Sequence, residues 1–344
     1  MNSKYKTLFA LLLVISILVS GCLQPGSEEN GGLQEFQQTK SIMDTTVTVA
    51  VYTSNESEAS RVIDDAFDEI YRVDDLMSPS KEESQLNILN TRGEVGNADP
   101  AFIYVLDQSK YYSEKSGGDF DITIQPVLDL WRSKFLPGGP QEPPTGEELN
   151  ETLKLVNYSE INTEDGNVSL KPGMKVALGG IAKGYSVDRA IESLKENGIE
   201  NAFVNAGGDG RYIGQKPDGT PWMVGLQNPD RTGQYVTAVE ARDTAVATSG
   251  NYERYFNESA RVSHISDPRT GYPSEGIISS TVIARTAIDA DAFATAVFVM
   301  GEEEGLEMIE GLEGIECLII TEDRRLVYSS GFKEYELNES EISG

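Results

Sequence analysis

Histidine is almost missing from this chain: His264 is the only one in 344 residues. That excludes every metal site built on a histidine cluster and leaves one imidazole for proton transfer near neutral pH. Basic residues are scarce as well, 28 against 56 acidic ones, for a net charge of −28. Neutralising a nucleic-acid backbone takes clustered Lys and Arg, so nucleic acid is not expected as a partner, and the surplus acid reads as a solvating surface. No Gly-X-Ser-X-Gly elbow is present, and a single histidine without a suitable serine beside it argues against a hydrolase triad. Cysteine is limited to Cys22 and Cys317. The apolar run Leu8 to Val19 falls short of the roughly 20 residues needed to span a bilayer.

That run is instead the middle of a signal. Lys4 and Lys6 precede it, and Val19-Ser20-Gly21-Cys22 closes it with small residues before a cysteine. The pattern is that of a lipoprotein signal over residues 1–21, with Cys22 lipidated and the folded part held outside the cytoplasm at a membrane. Residues 22–38, polar and Gly-rich, read as a tether, and 39–337 as the folded domain. With Cys22 lipidated, Cys317 has no disulfide partner, and its apolar surroundings Ile315 to Ile320 mark it as a packed strand residue.

Within the domain, Thr46 to Thr53 alternates as a strand and Glu58 to Leu76 has the period of an amphipathic helix. Pro100 to Ser116 reads as a second helix, ended by Gly117-Gly118, and Asp119 to Ile124 as a strand. Leu136 to Gly146, rich in Pro and Gly, is a surface loop and the best place for an internal boundary. Two further helices are expected at Ala182 to Asn197 and Ala290 to Met300. Strands outnumber helices and mix hairpins with αβ crossings, so the class is α+β.

Five places carry residues suited to chemistry. Met174 to Leu178 reads as an apolar strand running through Gly179-Gly180 into a helix. Such a turn allows close approach and offers free N–H groups to an anion, with Lys183 adding charge, though the same turn also serves simple packing. A strand over Asp119 to Thr123 would put Asp119, Asp121 and Thr123 on one face, either as an oxygen-rich edge or as a solvated one. Asp291 and Thr295, four apart, share an otherwise apolar helix face. They suit a hard cation such as Mg2+, or else, with Asp289, helix capping and back-bonding. Thr248 and Ser249 either cap a helix over Asn251 to Phe256 or line a ligand. His264, before the turn Asp267-Pro268-Arg269-Thr270-Gly271, is open to a structural or a catalytic role.

Taken together and in order, these motifs resemble the ApbE family of flavin transferases, which move FMN from FAD onto a threonine of a partner protein. The resemblance runs from about Met43 to Gly331. It rests on Met43-Asp44-Thr45, Met77-Ser78 with Ser84 to Asn90, and Gly117 to Thr123 followed by Pro126 and Trp131. It continues through Leu178 to Asp188, Asn205 to Asp209, Ala247 to Gly250, His264 to Pro273 and Asp291 to Thr295. The resemblance implies a T-fold-like α+β architecture with two subdomains around a flavin cleft. It implies a divalent cation, Mg2+, on the carbonyl of Gly180 and the side chains of Asp291 and Thr295. It places Lys183, Ala177, Phe120, Asp121, His264 and Ile265 against FAD, with Met43 near the flavin. The acceptor would be a membrane redox subunit, His264 the base for its threonine hydroxyl, and Lys183 a stabiliser of phosphate charge.

Two departures qualify the resemblance. The family commonly has a tyrosine where this chain has Ser80, and an aromatic there would stack on the flavin and shield it from water. Its loss opens a second reading, a Mg2+-dependent pyrophosphatase cleaving FAD to FMN and AMP. Part of the family has an acid at the position of Ala177. A third reading is a flavin-binding lipoprotein without turnover.

Overall fold

Met43 and Asp44 close the first hairpin with positive φ angles of 56° and 57°. This is the two-residue turn whose twist matches flanking strands, here made without glycine and therefore under backbone strain that the ladder on either side holds in place. That ladder joins β1 (Gln34–Ile42) to β2 (Thr45–Thr53) antiparallel, from Gln34 opposite Thr53 to Ile42 opposite Thr45. Residues 34–38, assigned above to the tether, are therefore strand. Their polar composition suits an outermost strand, in which only alternate residues are partly covered. The structure, a computed structural model, describes residues 32–337 other than 232, 252–254, 258–261 and 264. The proposed signal and Cys22 lie outside them.

Six helices follow before the next strand of the main sheet. Asn55 caps α1 (Glu56–Met77), accepting from the N–H groups of Ser57 and Glu58, and the buried stripe Ala59, Val62, Ile63, Ala66, Phe67, Ile70 and Val73 keeps the helical period. Then come α2 (Gln85–Arg92), α3 (Pro100–Lys115), α4 (Gln125–Phe135), α5 (Gly146–Leu153) and α6 (Ala182–Glu196). The remaining elements are β3 (Ala202–Ala206), β4 (Asp209–Ile213), β5 (Trp222–Gln227), β6 (Tyr235–Ala241), β7 (Thr244–Gly250) and β8 (Ile277–Ala284). After them stand α7 (Ala287–Met300), α8 (Glu302–Glu310), β9 (Glu316–Thr321) and β10 (Leu326–Tyr328). The class is α+β.

Eight strands form one antiparallel sheet in the order β1-β2-β3-β4-β7-β8-β9-β10, while β5 and β6 form a separate hairpin that β6 ties to Glu336 by a single bridge. Strand periodicity splits the core between the two faces of the sheet. Val204, Ala245, Ala247, Val282, Cys317 and Ile319 join the helices α1, α6 and α7 in the main core. Val246, Ile283 and Leu318 point the other way, into a second core with Trp222, Leu226 and Val239 of the β5–β6 hairpin. Helix α7 is buried nearly all round, as a helix without a polar face must be. A small satellite core of Val127, Trp131 and Leu149 belongs to α4 and α5, and Trp131 Nε1 donates to the Gly271 carbonyl at 2.7 Å, tying that lobe to the 265–273 loop.

Four local expectations fail for physical reasons. Asp119 to Ile124 is not a strand: Asp121 accepts from Thr123 N at 2.7 Å and Thr123 Oγ1 at 2.6 Å, curling the chain into a 3-10 turn over Ile122–Ile124. Met174 to Leu178 joins no ladder; the Asn90 side chain brackets Val176 instead, accepting from its N–H at 2.7 Å and donating to its carbonyl at 2.8 Å. No helix covers Asn251 to Phe256 among the described residues. Thr248 and Ser249 lie within β7, and Tyr255–Asn257 pairs with Val262–Ser263. The 136–146 loop connects α4 to α5 but divides nothing, since the chain from Gly32 onward clusters as one unit.

Candidate active site

Where α6 and α7 begin, a cavity of about 190 Å³ opens beside the turns of the sheet. Its walls include Thr45 after the first hairpin turn, Phe120 and Asp121, Ala177 to Lys183, Thr248 to Gly250 of β7, Ile265 and Ser266, and Asp291, Thr295 and Val299 of α7. Segments separated by more than half the chain converge here because three backbone devices hold them. The Ala177 N–H donates to the Ile122 carbonyl at 2.6 Å. Asp188 on α6 accepts from the first N–H groups of α7, Ala287 and Ile288, both at 2.9 Å, and so caps the neighbouring helix. Gly184 lets the two helices touch: a Cβ there would lie 2.8 Å from that of Asp291.

The polar groups are tightly organised. Asp291 is buried and accepts from the Gly184 N–H at 3.0 Å. Thr295 Oγ1 lies 3.1 Å from Ser249 Oγ, and a Cβ on Gly180 would lie 2.7 Å from that same hydroxyl oxygen. Gly180, Asp291 and Thr295 thus stand together as a hard-oxygen set with one carboxylate, which fits a cation that keeps water and substrate oxygens as its other ligands. Among the described residues no group of three His, Cys, Asp or Glu side chains competes with it. Lys183, in the first turn of α6, is ion-paired with Asp209, whose carboxylate is almost wholly buried and also accepts from the Thr248 N–H at 3.4 Å. Asp188 holds Arg211 at 2.8 Å behind the site; burial raises the Asp188 carboxyl, with Arg211 and the α7 N–H groups opposing.

Two atoms of the wall are buried without an aligned hydrogen bond: Asp119 Oδ1 and Ser266 Oγ. Arg269 Nε approaches Asp119 Oδ1 to 2.9 Å as an ion pair, at an angle that leaves the oxygen without a directed donor. Burial raises the Asp119 carboxyl, partly offset by Arg269. Asp119 Oδ1 thus has its charge balanced by Arg269, while Ser266 Oγ has no partner among the described residues and is open to a polar ligand.

Of the residues singled out from sequence, Phe120, Asp121, Ala177, Gly180, Lys183, Ile265, Asp291 and Thr295 all reach this wall. Met43 does not; it packs partly buried against the main core, and its neighbour Thr45 lines the cavity in its place. Ser80 is exposed, outside the wall, and lies 3.0 Å from Ser78 Oγ. His264 falls outside the described residues. Asp289 faces away, accepting from Tyr112 Oη at 2.8 Å. Thr248 and Ser249, offered as ligand-lining residues, reach the wall as well. The roles of Asp188, Asp209 and Gly184 were not legible: each sits in a quoted motif, but its partner lies far away in the chain.

Comparison with known proteins gives the family. A family model described as "ApbE family" matches residues 43–319. The FAD:protein FMN transferase of Vibrio cholerae is 31% identical over 327 residues, covering 93% of each chain. That of Haemophilus influenzae is 35% identical over 277 residues, covering 75% of this chain and 78% of its own. The crystal structure of the ApbE protein of Thermotoga maritima superposes with a TM-score of 0.80 at 33% identity, covering 89% of this chain and all of that one. The flavin transferase ApbE of Vibrio cholerae gives 0.74 at 29% identity, covering 88% of this chain and 99% of its own.

Proposed function

The chain belongs to the ApbE family, and on that premise we propose how it works as an FAD:protein FMN transferase. The observation that carries the reading is the joint placement of Gly180, Lys183, Asp291 and Thr295 on one cavity wall. FAD binds along that wall. A threonine hydroxyl of the acceptor protein attacks the FMN-side phosphorus, the bond to the bridging oxygen breaks, and AMP leaves. Phosphoryl transfer of this kind asks little covalent work of the protein; positioning and charge neutralisation dominate.

Each residue then has a task. Lys183 offers its ammonium to the phosphate oxygens, with Asp209 holding it in place. Mg2+, held by the Gly180 carbonyl and the Asp291 and Thr295 side chains, would neutralise charge on the pyrophosphate. Ser249 orients the Thr295 hydroxyl. His264 takes the proton of the incoming threonine, a role worth about 10²–10⁴ in rate. The acceptor is a subunit of a membrane redox protein, met outside the cytoplasm by a chain anchored at Cys22.

The test is AMP release from FAD with and without a peptide containing one threonine among small residues. AMP that appears only with peptide, together with fluorescent peptide, is expected. Dialysis against EDTA should abolish it and MgCl2 restore it. AMP and free FMN without peptide would instead establish the pyrophosphatase, for which the missing aromatic at Ser80 is the specific reason. His264→Ala with an unchanged rate would remove that residue from the mechanism.

A further inference from the structure

A second cavity, of about 290 Å³, lies on the opposite face of the sheet, between β7, β8 and β9 on one side and the end of the β5–β6 hairpin on the other. It shares two wall residues with the first, Gly207 of the β3–β4 turn and Thr248 of β7. Its chemistry is distinctive. In a chain whose residues are 24% charged, none of the described residues lining it is charged. Glycine backbone, the hydroxyls of Thr248, Ser279 and Thr281, and the side chains of Gln227, Gln234 and Tyr235 supply its polar groups.

The rim is prepared for contact. Tyr235 is 63% exposed, and its ring lies so close over β5 that a Cβ on Gly225 would come within 2.6 Å of it. The outer side of β5 has no strand partner among the described residues, whereas β6 pairs with β5 and bridges to Glu336 through Val239. An unpaired strand edge beside an uncharged, glycine-lined space suits an extended main chain with small side chains, held by backbone hydrogen bonds. It does not suit a nucleotide, for which no cation is present in the wall.

We propose that this cavity is where the acceptor protein docks: an extended, uncharged segment of small residues lies between the β5–β6 hairpin and the sheet and passes its threonine over Gly207 and Thr248 to the flavin phosphate. This rests on the transferase reading and adds the route of the second substrate. FAD occupies the first cavity, and Gly207 and Thr248, common to both walls, mark where the threonine would cross from one to the other.

The experiment uses the full chain and a short synthetic peptide carrying one threonine among serine, glycine and alanine. Val236→Arg puts a charge into the neutral wall, and Gln227→Trp fills it from an exposed position, where misfolding is not a concern. The expected result is a KM for peptide raised about tenfold or more, with FAD binding, read by flavin fluorescence, unchanged. An unchanged KM for peptide in both folded variants overturns the proposal. So does a loss of FAD affinity equal to the loss for peptide, which would make the cavity part of the flavin site. Wild-type protein that releases AMP but never labels peptide fails at an earlier step, and the transferase reading falls with it.

Discussion

Replacing Gly184 by alanine should separate the fold from the site. The α6–α7 crossing is so close that the added Cβ would lie 2.7 Å from the Ala287 carbonyl carbon and 2.8 Å from Asp291 Cβ. Ordinary carbon contacts are about 3.5–4.0 Å, so the helices must part by roughly 1 Å at this point. Alanine returns about 1 kcal/mol of helix propensity, while overpacking costs roughly 1–3 kcal/mol. The net loss of about 0–2 kcal/mol leaves the protein folded, with Tm lower by a few degrees at about 2–4 °C per kcal/mol. The site fares worse. Gly184 N–H holds Asp291 at 3.0 Å, and a misplacement near 1 Å costs on the order of 10² in rate. AMP release with acceptor peptide, measured beside a thermal melt, should therefore show kcat/KM down about a hundredfold at nearly full folding. A folded variant within about threefold of the wild-type rate would refute the idea that the helix spacing sets the Asp291 position.

Three other substitutions probe different links. Asp188→Ala removes the acceptor of the Ala287 and Ile288 N–H groups, with Thr286 still capping α7, and leaves Arg211 with Glu192 at 3.1 Å among the described residues; breaking such a buried pair should cost about 3–5 kcal/mol, and a urea midpoint close to wild type would contradict it. Asp209→Asn should slow transfer about tenfold or more while leaving FAD bound, because Lys183 keeps its charge and loses its anchor; equal kcat in both proteins would show that the ion pair does not orient the lysine. Burial raises the Asp121 carboxyl, outweighing the hydrogen bonds from Thr123 and Tyr158. A raised carboxyl contributes stability that is complete below its unfolded value of about 3.9 and lost as pH rises through the folded one. Relative to Asp121→Asn, wild-type stability should thus fall as pH increases from about 4 towards neutrality, and a flat difference in urea midpoints would dispose of the argument.

Legibility from sequence followed the range of the forces involved. Helices α1, α3, α6 and α7 announced themselves because one stripe of each, or all of α7, is apolar over many turns. The Asp291–Thr295 pair was legible for the same reason, since four residues on a helix fix a shared face. Asp119 to Ile124 misled because Phe120, Ile122 and Ile124 alternate like a strand, while a single side-chain cap at Asp121 decided otherwise. β1 was hidden by its polarity: its place as the outermost strand comes from β2 and from the turn at Met43 and Asp44. The Lys183–Asp209, Asp188–Ala287 and Ser249–Thr295 contacts join residues 26, 99 and 46 positions apart, and no local pattern encodes such meetings.

The strand order of the main sheet rises steadily along the chain, β1 to β10 with only the β5–β6 hairpin set aside. A chain emerging from the ribosome can therefore lay down each new strand on the open edge left by the last, with nothing to be threaded or inserted. The chemistry is timed differently. Six strands of the main sheet precede α7, and that helix brings both Asp291 and Thr295 and closes the wall begun at Thr45. Synthesis halted before residue 295 leaves a growing sheet and a cavity whose wall still lacks Thr295 and Val299.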